Sequence, residues 1–324
     1  MQHLKILNLE PQNYSPEARA ILEGLGLVTD GPLQRQALVE CLPDYDVLVV
    51  GLAHQIDREV LAFGSRLKAV VSPTADVDHI DVEYAAQRGI AVISLHGEDA
   101  MLRSVPATAE LTWALLLALT RSLAPALQSV LAGEWDADKF CGHDLAGKTL
   151  GILGLGRIGE RVARIALAFG MRVVAHDPYR AGWMDGVERA AKLDELLPQS
   201  QVLSIHVPLG PSTVWLIGKP QLDLLPEGAI LVNTARGEVV DEDALIEALQ
   251  NGRLAGAALD VIWGERRTDW RESPLLEYAR AHRTLVITPH MGATTVESLG
   301  ATQLFTARRL AQFLTDQGLI KEQE

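Results

Sequence analysis

The amino-acid sequence predicts an α/β protein built on two doubly wound parallel sheets. Three observations carry that expectation. Short β-rich runs alternate with helical ones from residue 4 onward; the alternation restarts at Lys148 after a polar interruption at 133–147; and the second series opens on a strand followed at once by a glycine-rich turn and a helix. The length of 324 residues agrees, since it exceeds the size at which a single hydrophobic core stops growing.

In order, Leu4 to Leu9 reads as a strand, Ser15 to Leu25 as a helix and Asp46 to Leu52 as an apolar strand. A helix at Asp57 to Arg66, a strand at Lys68 to Ser72, a helix at Asp81 to Arg88 and a strand at Ile90 to Leu95 complete the first series. Ser104 to Arg121 has the apolar positions of a long helix, and Leu123 to Leu131 continues helical with Pro125 in its first turn. The apolar stretch Leu111 to Leu119 is about half the ~20 residues a membrane span requires, so it reads as a buried helix. The second series places β-like runs at 149–155, 171–177, 202–207, 229–234, 255–261 and 284–289. Val296 to Gln317 is then amphipathic and helical, with no strand after it. A helix left over after a complete sheet must bury its apolar face somewhere, and crossing back to the first sheet is one solution.

Composition narrows the partners. A formal charge of −13 without a basic cluster argues against nucleic acid and anionic membrane, leaving a small molecule. Two cysteines, Cys41 and Cys141, build neither a disulfide framework nor a metal site, and acidic residues come too early for a signal peptide. A cytoplasmic protein is expected.

The glycine-rich turn is Gly154-Leu155-Gly156-Arg157-Ile158-Gly159, between the strand at 149–153 and helical 160–169. In that context the first glycine permits a tight turn, the second lets a pyrophosphate approach the backbone, and the third lets helix and strand pack closely. Asp177 ends the next strand, 23 residues past Gly154, where a carboxylate accepts hydrogen bonds from an adenosine ribose and repels a 2′-phosphate. NAD is therefore expected over NADP, with Arg180 the nearby residue that opposes this assignment.

Three residues of the types that redox chemistry on a carboxylate needs lie after successive strands. Arg236 stands in VNTARGEVVDEDAL, Glu265 in GAALDVIWGE and His290 in ITPHMGATTVES. With GLGRIG, Asp177 and the HVP of His206 to Pro208, these segments resemble, in order and spacing, the D-isomer-specific 2-hydroxyacid dehydrogenase family over essentially the whole chain.

The resemblance implies a Rossmann NAD-binding domain at 104–295, with a dimerisation arm at about 107–146. It implies a flavodoxin-like substrate domain from 1–103 and 296–324, a homodimer, and no appended regulatory domain. By position, Arg236 would hold the substrate carboxylate and carbonyl, His290 would be the acid/base, and Glu265 would stabilise its imidazolium form. Arg157, Ile158, Val207, Thr234, Ala235, Asp260 and His290 would join Gly154, Gly156, Gly159, Asp177 and Arg236 around the cofactor, and Ala75 and Asp76 would contact the substrate. No metal is expected, because the hydride passes directly to or from the nicotinamide.

Two departures stand out. Asp76 occupies a position that is often glycine in relatives, which removes easy access to positive φ and sets a charge against an anion. Arg266 and Arg267 follow Glu265 where proline is usual, and read as a solvated loop, with contact to a second anionic group such as phosphate as the alternative. The rival function is a catalytically silent NAD(H)-sensing regulator of the same fold.

Overall fold

A computed structural model describes residues 4–31, 33–267 and 269–320. They form two compact units: residues up to Val105 joined by those from Ala293 on, and Pro106–Gly292.

The first unit holds a five-stranded sheet of β1 (Leu4–Asn8), β2 (Gly26–Asp30), β3 (Val47–Val49), β4 (Ala69–Val71) and β5 (Ala91–Ile93). All pairings are parallel and the order is β2-β1-β3-β4-β5, the flavodoxin-like order. The central strands β3 and β4 are buried along their whole length, as parallel strands covered on both faces must be. One face is covered by the helix Val296–Asp316, which buries Ala307, Leu310 and Leu314 against Ile6, Val47, Val49 and Val71. Gln303 of that helix also accepts the Ser15 N–H at 2.7 Å, beside the N-terminus of the helix Pro16–Leu25.

The second unit holds a seven-stranded parallel sheet of β6 (Thr149–Leu153), β7 (Arg172–His176), β8 (Val187–Arg189), β9 (Val202–Ile205), β10 (Ala229–Asn233), β11 (Leu254–Leu259) and β12 (Leu285–Ile287). Its order, β12-β11-β10-β9-β6-β7-β8, is the Rossmann order with a seventh strand. The sequence reverses direction between β6 and β9, and ligands of such sheets bind outside the carboxyl ends of the strands at that switch point. Apolar layers lie on both faces. The helix Ala107–Thr120 belongs to one of them, burying Trp113, Leu115 and Leu116. Among the described residues no single helix is long and apolar enough to cross a membrane.

The fold class is the expected one. The differences are at its margins: β2 and β8 were not anticipated, and the long helix starts at Ala107, three residues later than expected. Pro106 precedes it, and the residue before a proline is kept out of helical conformation.

Candidate active site

The glycine turn is shaped by three different constraints. Gly154 has a φ of +90° and its N–H donates to the His176 carbonyl at 2.9 Å; a Cβ there would sit 2.6 Å from the His206 carbonyl oxygen. A Cβ on Gly159 would lie 2.2 Å from the Gly154 carbonyl oxygen, so this residue sets the close packing of helix on strand. Gly156 is exposed, and a Cβ on it would meet nothing within 4 Å. It stands at the N-cap of the helix Arg157–Ala168 and, as a glycine, offers no side chain to the first-turn amides. Open backbone at a helix N-terminus is what a pyrophosphate requires, so the residues present fit a dinucleotide. Arg157 and Ile158 open that helix, half-buried.

Asp177 follows β7, its carboxylate accepting the Leu155 N–H and the Tyr179 N–H, each at 3.0 Å. These bonds fix the carboxylate in the lining of a cavity of about 330 Å³ at the switch point, bounded by Gly154, Gly156, Asp177, Val207, Pro208 and Thr213. Arg180 is engaged by protein groups of the same turn: its guanidinium pairs with Glu160 and donates to the carbonyls of Leu155 and Gly182. His206 is half-buried in the lining of that cavity, its Nε2 2.8 Å from Ser204 Oγ, and desolvation pushes its pKa down to about 3.

The three residues singled out for chemistry sit on the loops that leave the carboxyl ends of β10, β11 and β12. Asn233, the last residue of β10, folds the first loop, its Oδ1 accepting the Ala235 N–H at 3.0 Å and its Nδ2 donating to the Arg236 carbonyl at 2.9 Å. Arg236 Nη1 turns back to donate to the Ala235 carbonyl at 2.7 Å. Thr234 is tied by its hydroxyl to that of Thr112 at 2.8 Å. Gly237 lies against the second loop so closely that a Cβ would be 2.1 Å from the Ile262 carbonyl carbon.

Asp260 joins the second loop to the third. Its carboxylate, 1% exposed, accepts the Thr288 hydroxyl at 2.6 Å, the Met291 N–H at 2.9 Å and the Gly292 N–H at 2.7 Å. Burial raises its pKa against the opposing effect of these donors. The residue between those donors, His290, is held at φ +52°, a conformation costing on the order of 1–3 kcal/mol in a side-chain-bearing residue and concentrated at functional sites. His290 Nδ1 meets Glu265 Oε1 at 2.5 Å, and both side chains keep a fifth of their surface open.

The structure thus brings Glu265 and His290 into contact on loops clamped to that of Arg236. Asn233, Gly237 and the bridging role of Asp260 were not foreseen. Gly237 alone carried a signal, a glycine directly after a candidate catalytic residue. Arg267 is held in an ion pair with Asp269 at 2.7 Å and lies over the Trp263 ring, which favours the solvated-loop reading for that residue.

Ala75 and Asp76 are in the other unit, on the loop after β4. Thr74 Oγ1 donates to the Asp76 carbonyl at 2.8 Å and is bonded to Ser72 Oγ, which in turn meets buried His79. Asp76 is not among the non-glycine residues with positive φ, so the loop forms here without the conformation for which a glycine would be needed.

Residues 113–292 match the profile of the D-isomer specific 2-hydroxyacid dehydrogenase, NAD binding domain. The chain belongs to this dehydrogenase family. It is 39% identical to D-3-phosphoglycerate dehydrogenase of Methanocaldococcus jannaschii over 96% of its own length and 57% of that protein's. It is 38% identical to the hydroxypyruvate reductase of Thermotoga maritima over 84% of this chain and 85% of that one. Among solved structures, D-lactate dehydrogenase from Aquifex aeolicus, complexed with NAD and lactic acid, superposes with a TM-score of 0.81 at 30% identity, covering 98% of this chain and 97% of that one. The family member described here spans about half the length of the phosphoglycerate dehydrogenases it matches.

Proposed function

We propose that the chain is an NAD-dependent dehydrogenase that interconverts a small D-2-hydroxy acid and its 2-oxo acid. The observation that carries this reading is the 2.5 Å contact between His290 Nδ1 and Glu265 Oε1, on loops clamped to the one that presents Arg236. Glu265 occupies Nδ1, which leaves Nε2 as the imidazole face for substrate. There His290 takes the hydroxyl proton in oxidation and returns it to the carbonyl oxygen in reduction. Glu265 fixes the ring's orientation and compensates the imidazolium charge. Arg236 contributes a planar, permanently charged fork for the carboxylate and the developing oxyanion. NAD, bound along the glycine turn, supplies the hydride acceptor.

Asp177 in the cavity lining and the engagement of Arg180 support NAD over NADP. Free Cys41 and Cys141 suit a reducing cytoplasm. The substrate class rests on relatives named for phosphoglycerate, hydroxypyruvate and lactate chemistry. A homodimer is supported by the helix Leu123–Leu131, which buries none of its residues and, with Trp135, leaves a continuous apolar face. Leu131 and Trp135 are 88% and 91% exposed.

The deciding experiment follows NADH oxidation by the purified protein with glyoxylate, hydroxypyruvate, pyruvate, 2-oxoglutarate and 3-phosphohydroxypyruvate, with NADPH in parallel. Turnover of at least one acid, abolished by His290→Ala with NADH binding intact, is expected. NADH binding without turnover of any would favour the silent sensor.

A further inference from the structure

We propose that Glu242 is a positioning residue for the Glu265–His290 pair, acting through the backbone amide of Trp263. This rests on the acid/base reading given above and adds a residue to it.

The second loop is held at one peptide from two directions. Gly237 presses on the Ile262–Trp263 peptide from the Arg236 side, with no space for a Cβ. Glu242, at the start of the helix Glu242–Gln250, accepts the Trp263 N–H with Oε1 at 2.6 Å. Glu265 is referenced to the same stretch, since the Ile262 N–H points at its Oε2 at 3.5 Å while its Oε1 meets His290. Between them Gly264 turns the chain at φ +68°. A displacement of the Trp263 amide is therefore passed to Glu265 within two residues, and from there to the imidazole.

Apart from its place in the first turn of a helix, the Glu242 site is unfavourable to a carboxylate. Burial is the largest effect and pushes its pKa up to about 7; Glu238, Asp243 and Asp241 add to it, and only the Trp263 amide opposes them. Asp269, Glu272 and Arg267 face it across a cleft of about 600 Å³ whose walls include Trp215, Trp263 and Trp270. Among the described residues, the Trp263 N–H is the one hydrogen-bond donor that this carboxylate meets.

The experiment compares Glu242→Ala, Glu242→Gln and Glu242→Asp with Glu265→Gln, reading kcat, the KM for NADH and the pH profile of kcat with the best 2-oxo acid. Glu242→Ala is expected to lose about 10- to 100-fold in kcat, with KM for NADH within about twofold and a pH profile displaced in the direction of Glu265→Gln. Glu242→Gln keeps an acceptor at the same reach and should restore both kcat and the profile. Glu242→Asp withdraws the oxygen by one methylene and should fall between, which keeps the inference testable if the alanine variant does not fold. Wild-type kcat and profile in Glu242→Ala or Glu242→Asp would overturn the inference, as would equal impairment in Glu242→Gln. A profile unmoved in Glu265→Gln would overturn the acid/base reading itself and this inference with it.

Discussion

Gly237→Ala tests the coupling between the loops after β10 and β11 with a single methyl group. Gly237 has no positive φ, so alanine meets no backbone penalty there and the effect is steric alone. The added carbon would stand 2.1 Å from the Ile262 carbonyl carbon and 2.4 Å from both the Ile262 oxygen and the Trp263 nitrogen, where ordinary contact begins near 3.4 Å. All three are backbone atoms of one peptide, so no side chain can rotate away and the loops must separate by about 1 Å. Overpacking of this kind costs about 1–3 kcal/mol of stability. The catalytic consequence is larger, because the displaced peptide lies between Asp260 and Glu265; a misplacement of about 1 Å lowers turnover by on the order of 10²-fold. Steady-state kinetics with NADH and the best 2-oxo acid, an NADH titration by fluorescence, and a thermal melt separate the contributions. A drop in kcat with NADH affinity retained is expected. Turnover within twofold of the parent in a folded variant would refute the clamp, and a matching loss of NADH affinity would move Gly237 to the cofactor site.

Asp177→Ala should raise the KM for NADH at least tenfold while leaving that for NADPH equal or lower, since it removes both a ribose acceptor and the charge that repels a 2′-phosphate; equal increases for both would show that Asp177 does not discriminate. Asp260→Asn leaves one acceptor oxygen for three donors and turns an N–H₂ toward a buried amide, which costs about 1–3 kcal/mol, and kcat should fall with it; an active variant of unchanged stability would remove Asp260 from the loop-bridging role. Glu242 has its folded pKa raised to about 7 against 4.5 for the model carboxyl, so the folded state binds the extra proton and stability declines as pH rises from about 4.5 to 7. Glu242→Gln should therefore gain roughly 1–3 kcal/mol over the parent between pH 5 and pH 8 in urea unfolding, and a constant difference across that range would contradict the burial argument.

The central strands were legible because parallel strands covered on both faces must be apolar at every position. β3, β4, β6, β9 and β10 are buried throughout, and each lies within a run read from the sequence. Two of the four edge strands, β2 and β8, escape the same test. β2 is GLVTD with no fully buried residue, and β8 is VER with only Val187 buried, so neither carries an apolar run or a clean alternation. β2 exists because β1 offers it a complete ladder from Leu4 opposite Gly26 to Asn8 opposite Asp30, and its first residue must be glycine because a Cβ would strike the Leu4 carbonyl oxygen at 2.2 Å. Such a cause is tertiary and has no trace in local composition.

A related asymmetry separates the residues proposed for the chemistry from those that hold them. Arg236, Glu265 and His290 could be singled out as candidates because the proposed chemistry requires those side chains after successive strands, and type and position together are informative. The residues that make them a unit act through backbone: Asn233 folds its own turn, Gly237 contributes only the absence of a Cβ, Asp260 collects two amides from the next loop, and Glu242 takes one from the loop between. Their functional content lies in which loop they touch, and contact across loops appears only once β10, β11 and β12 are side by side. The strain at His290 follows the same logic. A histidine at φ +52° persists where its surroundings over-determine it, and here the His290 N–H is shared between the Asp260 and Thr288 carbonyls while the Asp260 carboxylate holds the two residues that follow. Loosening that carboxylate should release the backbone before it alters the imidazole, so loss of activity in Asp260 variants should come with local hydrogen-exchange deprotection at Met291 and Gly292 and not with global unfolding.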